Sequence, residues 1–212
     1  MKYIIGIDEV GRGCLAGPVV VTALAIPRNF KVKSINFKTE LRDSKQLSEQ
    51  QREQWFEYIK AQRGIFYCVV RVSPKIIDKI NISAAANRAA HRAISRLHKL
   101  SSDKCCYRNT CQMQRIYLDG GLYLRNKKYQ TANYPQARTV VKGDEKFDAV
   151  KLASVVAKVM RDRYMKRLHK KYPQYSFGIH KGYGTKRHYA AIRKHGVSDT
   201  HRLTFLKKYH SI

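Results

Sequence analysis

Acidic residues are scarce in this chain. Asp and Glu together number 15 in 212 residues, against 43 Lys and Arg, for a formal charge of +28. So positive a surface draws nucleic-acid phosphates or an anionic membrane. Long apolar runs are missing as well. None approaches the ~20 consecutive apolar residues of a membrane-spanning helix, and the longest apolar-rich stretch, Val19 to Ile26, is strand-sized. The first strand starts almost at the N-terminus, which leaves no room for a signal peptide and predicts a cytoplasmic protein. Cysteine is sparse and odd in number, at five, which argues against a complete disulfide framework. Cys14 and Cys68 sit in apolar contexts and read as reduced core residues. Cys105, Cys106 and Cys111 cluster in a polar stretch, with His91 and His98 upstream, but Cys-Cys-x4-Cys is not a structural-zinc spacing. A surface loop is the better reading there. Repeats and low-complexity linkers are absent too.

What is present is enough apolar residue, 43%, to build a core. A single domain over 1–212 is expected, with nucleic acid as the favoured partner. Tyr3-Ile4-Ile5-Gly6-Ile7 reads as a strand ending at Asp8. A turn from Gly11 to Gly17 leads to a second strand, Pro18 to Ile26. Ser48 and Gln51 form a capping box that opens a helix to about Lys60. Ile65 to Val72 is a third strand by β-propensity. Pro74 starts a short helix, and an Ala-rich helix covers Ser83 to Leu100. Residues 101–114 are polar and irregular. Gln114 to Asp119 is a fourth strand, stopped by Gly120-Gly121. After a basic loop, Ala137 to Val141 is a fifth, ending at Lys142-Gly143-Asp144. Asp148 to Lys171 is an amphipathic helix: Leu152, Val156, Met160, Tyr164 and Leu168 make its stripe, with Lys158, Arg161, Arg163 and Lys166 off it. Thr185 caps a last helix to about Lys194.

The few acids are not scattered. Three strands end in carboxylates, at Asp8-Glu9, Asp119 and Asp144. Ligand sites in α/β sheets lie beyond strand ends. If the first, fourth and fifth strands are neighbours, four carboxylates converge. Buried acids repel one another unless a cation sits between them, and one or two Mg²⁺ or Mn²⁺ ions would answer that need. Successive strand residues face opposite sides, so Asp8 and Glu9 reach one site only if Glu9 already belongs to the turn. The following Gly11-Arg12-Gly13 can bring backbone N–H groups close to a polyanion. Metal and polyanion together indicate phosphodiester chemistry.

At these residues the sequence resembles ribonuclease HII. The matching pieces, in order, are Gly6 to Gly13, Gly17-Pro18-Val19-Val20, Asp43 to Ser48, Ile80-Asn81-Ile82, Leu118-Asp119-Gly120 and Val141 to Asp144. Ala153 to Val159 with Arg161-Asp162-Arg163, and His180 to Thr185, complete the set. The resemblance implies an α/β, ribonuclease H-like fold, a central mixed sheet flanked by helices with a C-terminal helical portion. It implies an endonuclease that cuts RNA in RNA–DNA hybrids and incises 5′ of single ribonucleotides in duplex DNA, leaving 3′-hydroxyl and 5′-phosphate ends. Asp8, Glu9, Asp119 and Asp144 match the metal-binding catalytic acids. Gly11, Arg12 and Gly13 match the turn that recognises the ribonucleotide 2′-hydroxyl, Tyr183 the tyrosine against the next sugar, and Ser44, Lys45 and Asn81 backbone-contacting positions.

The chain departs from that pattern in places. The segment Tyr123 to Tyr129 and the stretch 101–114 look inserted, and Lys151 stands where a small or apolar residue is usual. Asp148 is a rival fourth ligand, with Asp144 favoured because it follows Val-Val-Lys-Gly directly. The sister type, ribonuclease HIII, carries an extra N-terminal domain, and a start at the catalytic core favours type HII. No clamp-binding tail is evident after Phe205, and a monomer is the default. Two other readings compete: a non-enzymatic basic nucleic-acid-binding protein, and a different nuclease or transposase of the same fold.

Overall fold

The computed structural model describes residues 2–32, 40–104, 112–124, 134 and 136–207. Five strands form one mixed sheet in the order β3-β2-β1-β4-β5. They are β1 (Lys2–Val10), β2 (Val19–Pro27), β3 (Phe66–Val72), β4 (Gln112–Asp119) and β5 (Ala137–Val140). β1, β2 and β3 run antiparallel as a meander, while β4 and β5 add to β1 in parallel. The parallel half brings the C-terminal ends of β1, β4 and β5 to one edge of the molecule, which is the neighbour relation the acid-ended strands required.

Helices cover both faces of the sheet. They are α1 (Glu49–Ala61), α2 (Pro74–Ile80), α3 (Ile82–Lys104), α4 (Gly143–Lys146), α5 (Asp148–Lys171), α6 (Phe177–His180), α7 (Lys186–His195) and α8 (Leu203–Leu206). On one face Ile5, Ile7, Ile116 and Leu118 pack against the alanine-rich side of α3, where Ala85, Ala86, Ala89, Ala90 and Ala93 are fully buried. Small residues let the helix lie close to the strands. On the other face Leu24 and Ile26 pack with α5 and with Trp55, Phe56 and Ile59 of α1. The capping box starting α1 is present, with Ser48 and Gln51 satisfying each other's backbone N–H groups.

Gly6 fixes the contact between β1 and α5. A Cβ there would stand 2.1 Å from the backbone carbon of Ala149. Only glycine lets the helix backbone touch the strand backbone.

Four expectations change. β1 runs through Glu9 to Val10, because Val20 and Val21 continue the antiparallel ladder opposite them. Glu9 is therefore a strand residue, not part of the turn. β5 stops at Val140. Lys142 takes a left-handed φ of 56°, and Asp144 lies in the short helix α4. α3 extends to Lys104 and β4 begins at Gln112, so structure enters the stretch expected to be irregular on both sides. Finally, α5 keeps its expected bounds but not its expected stripe. It is buried nearly all round through its middle, Arg161 included, because it lies between the sheet, α1 and the C-terminal segment. Cys105, Cys106, Cys111 and residues 125–129 lie outside the described residues.

Candidate active site

Strand alternation places Asp8 and Glu9 on opposite sides of β1. Asp8 shares the α5 side with Gly6, and its carboxylate meets the Ser154 hydroxyl of α5. Its Oδ1 also accepts the Glu9 N–H at 2.7 Å. Glu9 shares the α3 side with Ile5 and Ile7, and its Oε1 accepts from Arg12 Nη1 at 3.2 Å. That arginine also donates to the Gly121 carbonyl and to the Ser83 hydroxyl at the start of α3. Asp119, at the end of β4, accepts the Gly143 N–H at 2.8 Å. The same bond orients α4 and hence Asp144. Asp144 is buried, with Lys45 Nζ at 3.6 Å. Asp148 instead pairs with Lys151 at 3.8 Å, and its side chain is half exposed.

The electrostatics show how crowded this edge is. Burial raises Asp8 well above the usual carboxylate range, with the charges of Glu9 and Asp119 adding to it. Burial raises Glu9 to about 7 despite the opposing Arg12 charge, and Asp119 again contributes. Asp144 is raised by burial, then by Asp119 and Asp43. Partial burial works against the Lys45 charge, but Asp43, Asp144, Asp8 and Asp119 together raise its pKa. One flexible ammonium thus senses four carboxylates.

A divalent ion at these acids would meet an unsatisfied oxygen. Glu9 Oε2 is buried and has no hydrogen-bond partner, a costly state for a carboxylate oxygen unless a cation meets it. The donor set is all oxygen, as Mg²⁺ and Mn²⁺ require. Among the described residues, however, no three His, Cys, Asp or Glu side chains are gathered closely enough to form a ready-made metal cluster. Arg12 and Lys45 supply the counter-charge instead. A Mg²⁺ site does not need an all-protein cage, since one or two carboxylates, retained waters and a substrate phosphate suffice. The residues fit such an ion.

The remaining expected contacts divide. Gly13 and Lys45 are exposed beside the acids, and Tyr183 is partly exposed next to Cys14. Ser44 faces inward, its hydroxyl 2.7 Å from that of Ser154, so it supports the serine that touches Asp8. Asn81 caps α3 by accepting the Ala84 N–H at 2.9 Å. Its φ of 63° with ψ of 166° is a conformation almost reserved for glycine. Sequence reasoning did not single out Asp43, Ser154 or Arg202, and it set Arg161 on the surface. Arg161 and Arg202 are fully buried and donate to the carbonyls of the Gly11–Pro18 turn. No local pattern marked either one: Arg161 is followed by Asp162 and Arg163, with Lys158 one turn before it.

Comparison with known proteins bears on the family and the fold. The family model for ribonuclease HII matches residues 5–210. A ribonuclease HII of Bacillus cereus (strain B4264) is 43% identical over 205 residues, 97% of this chain and 69% of that protein. The crystal structure of ribonuclease H2 from Pyrococcus horikoshii OT3 superposes with a TM-score of 0.68 at 24% identity, covering 99% of this chain and 97% of that one. Bst-RNase HIII, solved in complex with Mn²⁺, has a TM-score of 0.66 at 17% identity, covering 99% and 70%. With its mixed sheet and a family match across nearly its whole length, the chain belongs to the ribonuclease HII family and is a ribonuclease H-type hydrolase.

Proposed function

We propose that this protein is a divalent-metal-dependent endonuclease that cuts RNA in RNA–DNA hybrids and incises duplex DNA on the 5′ side of a single embedded ribonucleotide. The products are a 3′-hydroxyl and a 5′-phosphate, as ribonucleotide removal and RNA-primer degradation need. The observation that carries the reading is the placing of Asp119 at the C-terminal end of β4, close enough for its charge to raise Asp8, Glu9 and Asp144 alike, although Asp8 and Glu9 leave β1 on opposite sides.

Asp8, Glu9, Asp119 and Asp144 are the residues that would hold Mg²⁺ or Mn²⁺, and a bound ion would supply positive charge to activate water and offset the leaving oxygen. The protein's own groups do the rest. Asp8 is kept oriented by Ser154 and by the Glu9 N–H. Arg12 keeps Glu9 in place and closes the gap between the turn, Gly121 and α3. Lys45, 3.6 Å from Asp144 and largely exposed, is free to turn toward an incoming phosphate. Phosphate contacts from such cations give affinity and register, without sequence selectivity. The Gly11-Arg12-Gly13 backbone reads the 2′-hydroxyl, the group that marks RNA. Tyr183, partly exposed, packs against the following sugar.

The test is incision of a labelled DNA duplex carrying one ribonucleotide, with Mg²⁺, Mn²⁺ or EDTA. One metal-dependent cut immediately 5′ of the ribonucleotide is expected. Cleavage only of long RNA–DNA hybrids would remove the junction specificity. Equal cutting of an all-DNA duplex would point to another nuclease of this fold, and no cutting at all to a binding protein.

A further inference from the structure

Two arginines lie wholly inside the protein and turn to backbone carbonyls instead of carboxylates. Arg161 Nε donates to Pro18 O at 3.1 Å, its Nη1 to Lys181 O at 2.8 Å and its Nη2 to Ala16 O at 3.3 Å. Arg202 is more concentrated. Its Nη2 donates to Gly11 O at 2.7 Å and to Gly17 O at 2.9 Å, its Nη1 to Arg12 O at 2.7 Å, and its Nε to Gly17 O at 3.1 Å. Burying a guanidinium without an acid is costly, and the full set of hydrogen bonds is what offsets that cost.

The direction of those bonds matters. A trans peptide is planar, so its C=O and the next residue's N–H point opposite ways, and the described chain contains no cis bond. Arg202 pulls the carbonyls of Gly11 and Arg12 inward. The N–H groups of Arg12 and Gly13 are therefore turned outward. The outward side is clear: a Cβ on Gly13 would meet nothing within 4 Å, whereas one on Gly11, whose φ is +90°, would strike Arg161 Nε at 2.2 Å. One face of the turn is filled by guanidinium and the other is left open.

Arg202 is itself held from several directions. Its N–H donates to Leu15 O at 2.8 Å, and His201 bridges to Ala16. The next two N–H groups, of Leu203 and Thr204, are capped by Asp78 of α2 at 2.9 and 3.0 Å. Burial pushes Arg202 down to about 10, so it stays charged at neutral pH.

We propose that Arg202 is the positioning residue for ribose recognition: by drawing the Gly11 and Arg12 carbonyls inward, it presents the Arg12 and Gly13 N–H groups as a preset pair of donors to the 2′-hydroxyl. This deepens the function proposed above and rests on it. A lysine cannot replace it, because one ammonium cannot span three carbonyls with the fixed fork of a guanidinium.

The test is binding in EDTA to two duplexes identical except for one ribonucleotide, by the wild type and by Arg202→Lys. The variant keeps the charge, so affinity for the all-deoxy duplex is largely retained. The preference for the ribonucleotide duplex falls by about 10-fold, near the worth of one well-placed hydrogen bond. A folded Arg202→Lys protein with the wild-type preference overturns the proposal. Where the variant does not fold, ¹⁵N-labelled wild type decides. The Arg12 and Gly13 amide signals should move further with the ribonucleotide duplex than with the all-deoxy one, and equal movement overturns the assignment. A wild type with no preference between the duplexes fails differently, because it removes the functional reading itself and this inference with it.

Discussion

The protein handles buried charge in two opposite ways. At the ends of β1 and β4 and in α4 acids crowd together: burial raises Asp8, Glu9 and Asp144, the Asp119 charge adds to each, and Glu9 Oε2 is left without a partner. Behind the glycine turn, Arg161 and Arg202 are just as buried but bond to carbonyls throughout. The first region is left electrostatically incomplete and so selects a cation. The second is complete and so fixes a backbone. Chemistry needs the incomplete region, and its geometry is kept by the complete one.

Asp8→Asn tests the first region most severely. Incision should fall on the order of 10³-fold or more, as removal of a metal-holding charge costs several kcal/mol of transition-state stabilisation. Thermal stability in EDTA should be unchanged or higher at pH 8. Asn still accepts from the Glu9 N–H and no longer buries a charge. Wild type should gain melting temperature on adding Mg²⁺ or Mn²⁺, and Asp8→Asn should gain less. Retained incision by Asp8→Asn would remove Asp8 from the mechanism.

Gly6→Ala attacks the frame common to both regions. Its Cβ would have to occupy space 2.1 to 2.4 Å from the Ala149 and Val150 backbones. Backbone cannot yield as a side chain does, so a loss of about 3 kcal/mol is expected, at the upper end for overpacking. Urea denaturation measures it. Because α5 carries Ser154 to Asp8 and Arg161 to the turn, incision should fall as well. A stable Gly6→Ala protein would mean that α5 does not rest on β1 at this point.

The two regions also set opposite slopes of stability against pH. Burial lowers His188 and His201 from 6.5 to about 4. They lie behind the Tyr183 loop with rings tilted by 38°, their Nε2 atoms 3.1 Å apart and His188 Nδ1 bonded to Tyr183 O. The unfolded chain binds their protons first, so their stabilisation is complete above pH 6.5 and is lost as pH falls toward 4. At pH 5 that is about 2 kcal/mol for each histidine, by linkage. Glu9 works the other way. Its folded pKa of about 7 exceeds the ordinary 4.5, so its contribution is present below pH 4.5 and is lost as pH rises through 7. His188→Asn should flatten the acid limb, since one of the histidines that burial lowers is gone. Divalent metal should flatten the neutral limb instead. If His188→Asn leaves the acid limb unchanged, the histidine pair is not its origin.

How legible each region was follows from the same contrast. The acids could be read from sequence because they follow apolar runs and lie within two residues of a glycine, where few other roles exist. The family resemblance carried by the motifs implied a mixed sheet, and the Ser48–Gln51 box and the bounds of α5 were visible as local chemistry. The arginines were not legible in this way. Arg202 lies 191 positions from Gly11, and its bonds go to carbonyls, which every residue has. No pattern in the side chains marks such a pairing. Arg161 was assigned to a solvated face because a period of 3.6 assumes one buried side, whereas α5 is enclosed by the sheet, α1 and the C-terminal segment. The strand position of Glu9 was missed for a related reason, since ladder length depends on the partner strand.

Ion pairs on the open side of α5 give the smallest effect and close the comparison. Arg163 bonds Glu53 with Nε at 3.1 Å, and Lys166 meets Glu49, both reaching from α5 to α1. Their side chains are 35–52% exposed, so water and salt screen them and each pair is worth at most about 1 kcal/mol. Glu53→Gln should shift the urea midpoint only slightly at low salt, and by nothing measurable at 1 M NaCl. Arg202→Lys should destabilise equally at both salt concentrations, because its carbonyl partners are buried dipoles beyond the reach of screening ions. A salt-sensitive loss in Arg202→Lys would place that guanidinium in contact with solvent, and the distinction between completed and exposed charge would fail there first.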